Sequence, residues 1–515
     1  MSKLIKKIVI VGGGTAGWIT AAMLAKQHCR GGNSDVSITL IESDDIPTVG
    51  VGEGTFPTMR KTLSTIGISE TDLIRRCDAT FKQGAKFVSW RLNSDKEFYY
   101  HPFNVPSGYG KFDLTAYWQK DENRHQYGRF AEAVDFQDQI CEAGLAPKKI
   151  VTPEYQSILN YAYHFDAVKV AKLIQEKAVE LGVQHVVDKV IDVGQNANEY
   201  IEFVVCEKSG KISGDFFVDC SGFAALLIGK TMKVPFLPTN KILFNDTAIA
   251  TQVPYDDEED IACHTIATGK EAGWIWDIGL SSRKGMGYVY SSNHTSDENA
   301  MRTLEQHIGP KAKNLSFRKI PFNSGYREKF WHKNCVAIGL SAGFLEPLEA
   351  SALILVDNSV EWISERLPTD FNSMEIIAKQ FNHGFTKKWQ AIVDFLKLHY
   401  VLTERTDEVY WRDNMQPESM SERLIESLAL WKHHPPHLND TDAQYDVFPI
   451  ASIQYVLYGL NFKTDVSAQH YLYNDDKLAQ QHFQHNLKMQ AKIQASLPNH
   501  RALINMIKEH GLQKI

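Results

Sequence analysis

Glycines 12, 14 and 17 stand in IKKIVIVGGGTAGWITAAMLAK, residues 5–26, with the spacing G-x-G-x-x-G. Each glycine serves a separate purpose. Gly12 permits a tight turn, Gly14 lets the backbone approach a pyrophosphate, and Gly17 lets a helix pack closely on a strand. The amides of a helix beginning near Thr15 and Ala16 then face the phosphates. A second apolar run ends in Glu42, 28 residues after Gly14, where a carboxylate can hold a ribose hydroxyl pair. The usual gap is about 20 residues, and the polar stretch 28–35 accounts for the excess. Farther along, Trp274 and Trp276 are two apart. On a strand they share a face and form one aromatic wall, or they simply pack a core.

These residues need elements to hold them. Residues 5–26 change from a β-branched run to a helical pattern at the glycines, so strand, turn and helix follow in order. Two later apolar runs, 216–222 and 335–339, each end in small residues, the second at Gly339. Residues 166–182 read as an amphipathic helix with Asp166 as N-cap and Gly182 as its stop. Alternation through 183–218 predicts antiparallel strands of a substrate-side sheet, and the pattern after Pro368 turns helical. The fold class is therefore α/β: a Rossmann-type nucleotide-binding domain with an inserted β-sheet and a mostly helical C-terminal substrate subdomain. The division expected is 1–368 and 369–515.

A chain of 515 residues exceeds the roughly 250–300 residues of a single core. With 55 Lys and Arg against 62 Asp and Glu, the net charge of −7 argues against nucleic acid as a partner. No apolar run reaches the roughly 18 residues of a membrane span, so a cytoplasmic protein with no membrane partner is expected. The seven cysteines form no C-x-x-C pair and read as buried free thiols, with no metal site. His433 and His437 are four apart, but Pro435 and Pro436 forbid the helix that would align them on a metal.

A nucleotide fold interrupted by a long insertion and closed by two late strands resembles the FAD-binding architecture of aromatic hydroxylases. After Gly339 that class has an acid, whereas Leu340 and Ser341 follow here. The GGGTAGW turn, the loop VGVGEGTFP at 49–57 with Val49 at its start, and GWIWDIG at 273–279 together resemble the flavin-dependent tryptophan and indole halogenases. Gly279 stands where that family's pattern has proline. The resemblance extends from Lys7 to about Pro368.

It implies FAD, used as FADH2, with chloride or bromide as co-substrate, oxygen, and a separate NAD(P)H-dependent flavin reductase. Trp274 and Trp276 would then screen the flavin from an organic substrate. Hypohalous acid would travel to a lysine, matched at Lys82 in TFKQGAKF, with Lys86 as competitor. FLEPLEASA at 344–352 matches the segment carrying the family's glutamate, which falls on Glu349, with Glu346 as the alternative. Ser351 and Ala352 stand where backbone amides hold the halide. His101 and Phe103 match residues flanking the indole ring.

Tyr445, Tyr455 and Tyr458 occur singly where tryptophan halogenases have a tyrosine pair. This favours indole or another electron-rich derivative over free tryptophan. The function expected is halogenation of an indole-type ring, with a flavin-dependent aromatic monooxygenase or a non-catalytic flavin-binding protein as alternatives. A homodimer is compatible with the amphipathic helices after Asp475.

Overall fold

A computed structural model describes residues 4–29, 36–45, 52–256, 259–442 and 445–514. Val49 and the first part of its loop lie outside the described residues. The chain groups into two compact units, one of 1–79, 165–239 and 323–389, the other of 80–164, 240–322 and 390–515. This grouping follows strand pairing rather than chain order, and so runs across the expected division at residue 368.

The first unit is built on a six-stranded sheet in the order Trp331–His332, Cys335–Ala337, Phe216–Asp219, Lys7–Val11, Ser37–Glu42, Gln184–Val187. Its parallel pairings follow the Rossmann pattern: Ile8 pairs with both Phe216 and Ile38, Phe217 with Cys335, and Thr39 with Gln184. Lys7–Val11 is buried from Ile8 onward, as expected where helices cover both faces of a parallel sheet. The helix Thr15–His28 makes the crossover to Ser37–Glu42, and the helix Ser351–Glu365 packs against it. Neighbouring strands therefore end at Val11, Glu42, Asp219 and Ala337 on one edge, where nucleotide sites of such sheets form.

One expectation needs correction. Residues 183–218 do not make a substrate-side sheet: Gln184–Val187 and Phe216–Asp219 join the parallel sheet, and only Val190–Gln195, Ile201–Cys206 and Gly210–Ser213 form an antiparallel meander. Local alternation reveals a strand but not its partner. Asp166 does cap the helix Ala167–Glu180, accepting from the amides of Val168 and Lys169 at 3.1 Å.

The second unit carries a seven-stranded sheet ordered Arg318–Pro321, Thr247–Pro254, Arg283–Tyr290, Gly273–Gly279, Thr265–Lys270, Gly84–Val88, Phe98–Pro102. Thr265–Lys270 pairs in parallel with Gly84–Val88, and the remaining pairs are antiparallel. The helix Asp297–Ile308 closes one face over Ile249, Ile275, Tyr288 and Tyr290 through Ala300 and Leu304. C-terminal helices follow at Val409–Asn414, Glu422–Trp431, Ile450–Gly459, Asp476–Gln494 and His500–His510. No described helix is long and apolar enough to cross a membrane.

In the first unit, Asp357 of the helix Ser351–Glu365 is 4 % exposed and accepts from Thr58 Oγ1 at 3.0 Å. Burial pushes its carboxyl up to about 7. The native state thus keeps a proton that the unfolded chain loses above about pH 4, so stability falls as pH rises from there through 7. Asp357→Asn should remove this slope. Its thermal unfolding temperature should match the parent's near pH 3 and exceed it near pH 8, for a gain on the order of a few kcal/mol.

Candidate functional site

In the first unit, the glycine turn is set by close approaches. Gly12 has φ +115°, and a Cβ there would lie 2.1 Å from the Cys220 carbonyl oxygen. A Cβ at Gly17 would lie 1.9 Å from the Gly12 oxygen, and one at Gly13 would fall on Glu42 Oε2. At Gly14, by contrast, a Cβ would meet no protein atom within 4 Å. Gly14 is also the N-cap of the helix Thr15–His28, which has neither a side-chain cap nor an acid in its first turn. Thr15 and Ala16 therefore open a helix whose dipole is left for an anion. Gly339, at φ +75°, would bring a Cβ within 2.9 Å of Ala16, so the later strand's turn packs on the same helix start.

Glu42 ends its strand 2.7 Å from His185 Nε2. Asp219, which none of the motifs singles out, ends the neighbouring strand fully buried. Its carboxylate accepts from the amides of Ser221, Leu227 and Ile228 and from the Ser221 hydroxyl, at 2.6–3.0 Å. Burial raises its pKa despite these donors. An acid closing a buried β run was the available signal.

Also in this unit, Glu349 (φ 62°, ψ 15°) and Ala350 (φ 54°, ψ 37°) are consecutive left-handed residues without being glycine. Such conformations cost roughly 1–3 kcal/mol each and gather at functional sites. They turn the chain into the helix Ser351–Glu365, which has no side-chain cap. Ser351 is buried at its first position and Ala352 is exposed. Glu349 is 5 % exposed and Glu346 fully buried.

In the second unit, Lys82 ends the strand Thr80–Lys82 and is only 1 % exposed, so it is no surface lysine. Its Nζ lies 5.3 Å from the centre of the Phe103 ring. Lys86 is committed elsewhere: it pairs with Glu142 at 2.6 Å and covers Phe98 at 4.1 Å. Three hydrogen bonds pin the lysine strand. Thr80 Oγ1 donates to the Gly279 carbonyl at 2.5 Å, the Phe81 amide to His500 Nε2 at 3.1 Å, and the Gln83 amide to the Cys263 carbonyl at 2.7 Å. His164, paired with Thr80 across the strands, has its pKa pushed far down, by burial first and then by the Lys82 charge. His500 and Cys263 are 237 residues apart in sequence, and no local pattern links either to Lys82.

His101 is 2 % exposed and lies 2.8 Å from the Ser452 hydroxyl, ringed by Phe395, Phe448 and Tyr455 at 5.8–6.3 Å. Tyr455 and Tyr458 are both buried on the helix Ile450–Gly459. Trp274 and Trp276 do share a face of their strand, with ring centres 6.4 Å apart. Both are buried, Trp274 near Trp90 and Trp276 over Gly287, where a Cβ would strike its ring. The structure thus gathers Lys82, His101, Phe103 and the tryptophans in one unit, and the glycines, Glu42, Gly339, Glu349, Ser351 and Ala352 in the other.

Gly12→Ala and Gly17→Ala should each lower stability by about 2 kcal/mol or more, because their Cβ atoms collide with backbone. Gly14→Ala should leave it unchanged. Thermal unfolding of the three variants side by side measures this.

Residues 7–475 match the family model described as tryptophan halogenase. The 7-chloro-L-tryptophan 6-halogenase KtzR of Kutzneria sp. (strain 744) is 36 % identical over 518 residues, spanning 96 % of this chain and 98 % of its own. Tryptophan 7-halogenase RebH of Lentzea aerocolonigenes is 35 % identical over 471 residues, spanning 87 % of this chain and 86 % of its own. The crystal structure of a tryptophan halogenase from Shewanella frigidimarina NCIMB 400 superimposes with a TM-score of 0.95 at 43 % identity, covering 100 % of this chain and 99 % of that one.

Proposed function

This chain belongs to the tryptophan halogenase family of flavin-dependent enzymes, and on that premise we propose that it uses FADH2, oxygen and chloride or bromide to halogenate an electron-rich indole ring. The observation that carries this reading is the burial of the Lys82 ammonium beside Phe103, in the unit that also holds the aromatic surround of His101. Removing its charge from water costs several kcal/mol, which the surrounding fold has to offset.

FAD suits the residues of the first unit. The open approach to Gly14, the uncapped helix at Thr15 and the acid at Glu42 fit a pyrophosphate and a ribose, and the helix start at Ser351 fits an anion. Held there and reduced by a separate reductase, the flavin would supply, with oxygen, the two-electron oxidation of halide to hypohalous acid. The Lys82 ammonium donates hydrogen bonds to the oxygen of that acid and so makes its halogen electrophilic. A ring carbon then forms the carbon–halogen bond as the oxygen–halogen bond breaks, and the departing hydroxide takes a proton from the Lys82 ammonium and leaves as water. The proton that the substituted carbon gives up goes to a carboxylate base, the role that the family resemblance assigns to Glu349. His101 and Phe103 hold the ring flat. With Tyr455 and Tyr458 buried as single residues, indole derivatives other than free tryptophan belong to the substrate range.

Lys82→Ala should lower halogenation about 100-fold or more while FAD binding and oxygen consumption persist. Lys86→Ala should halogenate normally. Full activity in Lys82→Ala removes this lysine from the mechanism. Mass spectrometry of indoles incubated with reductase, NADH, FAD and either halide should show halogen isotope pairs. Hydroxylated products without halide dependence would instead establish a monooxygenase. Glu349→Gln should be slowed to a similar extent at unchanged FAD affinity, measured by single-turnover kinetics.

A further inference from the structure

In the second unit, Cys141, Cys263 and His264 come together although the two cysteines are 122 positions apart along the chain. Among the described residues they are the one group of three or more His, Cys, Asp or Glu side chains whose donor atoms all lie within 4.8 Å of one another. All three are buried, at 3 %, 0 % and 6 % exposure. Cys141 lies on the short helix Gln137–Glu142, and Cys263 and His264 immediately precede the strand Thr265–Lys270. The Cys263 sulfur is 3.9 Å from His264 Nδ1, close to the separation of two donors around one ion.

We infer that Cys141, Cys263 and His264 bind a thiophilic d10 cation, zinc(II) or copper(I), inside the second unit. Soft thiolates with an imidazole select these ions over magnesium or calcium. The surroundings of the histidine match those of a ligand. His264 Nε2 lies 3.3 Å from the Tyr100 hydroxyl, which donates to Glu142, and Glu142 in turn pairs with Lys86 at 2.6 Å. In that chain Nε2 carries the proton and donates outward, which leaves the Nδ1 lone pair directed at sulfur. An imidazole oriented through its second nitrogen is the usual support for metal ligation.

Binding replaces two S–H bonds by two sulfur–metal bonds, and both protons pass to solvent. Three donors complete a trigonal copper(I) site, whereas zinc(II) would draw in a fourth ligand. Either ion would clamp the helix Gln137–Glu142 to the segment whose Cys263 carbonyl holds Gln83, next to Lys82.

The test is metal content. Full-length protein without an affinity tag would be expressed in zinc- and in copper-supplemented medium, purified under reducing conditions, and washed with EDTA to strip surface ions. Elemental analysis should find close to one equivalent of zinc or copper, and the two media decide which. X-ray absorption of that wild-type protein should show two sulfur neighbours and at least one nitrogen, which needs no variant to fold. Cys141→Ser and Cys263→Ser, with FAD binding and far-ultraviolet circular dichroism retained, should lose the equivalent. Metal at trace level in both media overturns the inference. So does a full equivalent kept by both serine variants, an edge spectrum without sulfur, or an intact mass short of two hydrogens that marks a disulfide instead.

Discussion

An ammonium held out of water is the constraint on which the second unit turns. Lys82 is 1 % exposed, and removing a cation of that size from water costs several kcal/mol even after relaxation. The surrounding fold must hold its position against that cost. Hydrogen bonds along its strand contribute to this: Thr80, Phe81 and Gln83 are each tied to a different distant segment, at Gly279, His500 and Cys263. The aromatic ring of Phe103 supplies a face to the charge. Lys86, four residues along, has a carboxylate partner and partial solvent, and its environment is that of an ordinary structural lysine.

The first unit answers the opposite charge with the same means. Its glycine turn contributes no ionisable side chain. It brings the backbone of Gly12 against Cys220 and that of Gly17 against Gly12, and leaves the side of Gly14 open. The result is a helix start available to an anion. The left-handed pair Glu349–Ala350 plays a related part at the head of Ser351–Glu365, where backbone strain replaces a capping side chain. The two helix starts share this form without sharing a sequence motif.

The tryptophans mark a limit of reading by pattern. Their spacing correctly places Trp274 and Trp276 on one strand face. Their burial against Trp90 and Gly287 also makes them core residues. A wall and a core are the same packing seen from two sides.

The sequence alone determined whatever is local or periodic. The G-x-G-x-x-G turn, the Asp166 cap and the helical run after residue 368 each depend on residues within a turn or two of one another, and backbone sterics and hydrogen bonding act at that range. The candidate residues Lys82, Glu349, His101 and Phe103 were legible because short motifs carry them. The partners were not. Strand order placed 184–187 in the parallel sheet, and only folding brought His500 to Phe81, or Cys141 to Cys263 and His264. Those contacts are set by which apolar faces bury against each other, a choice made over hundreds of residues that no local pattern records.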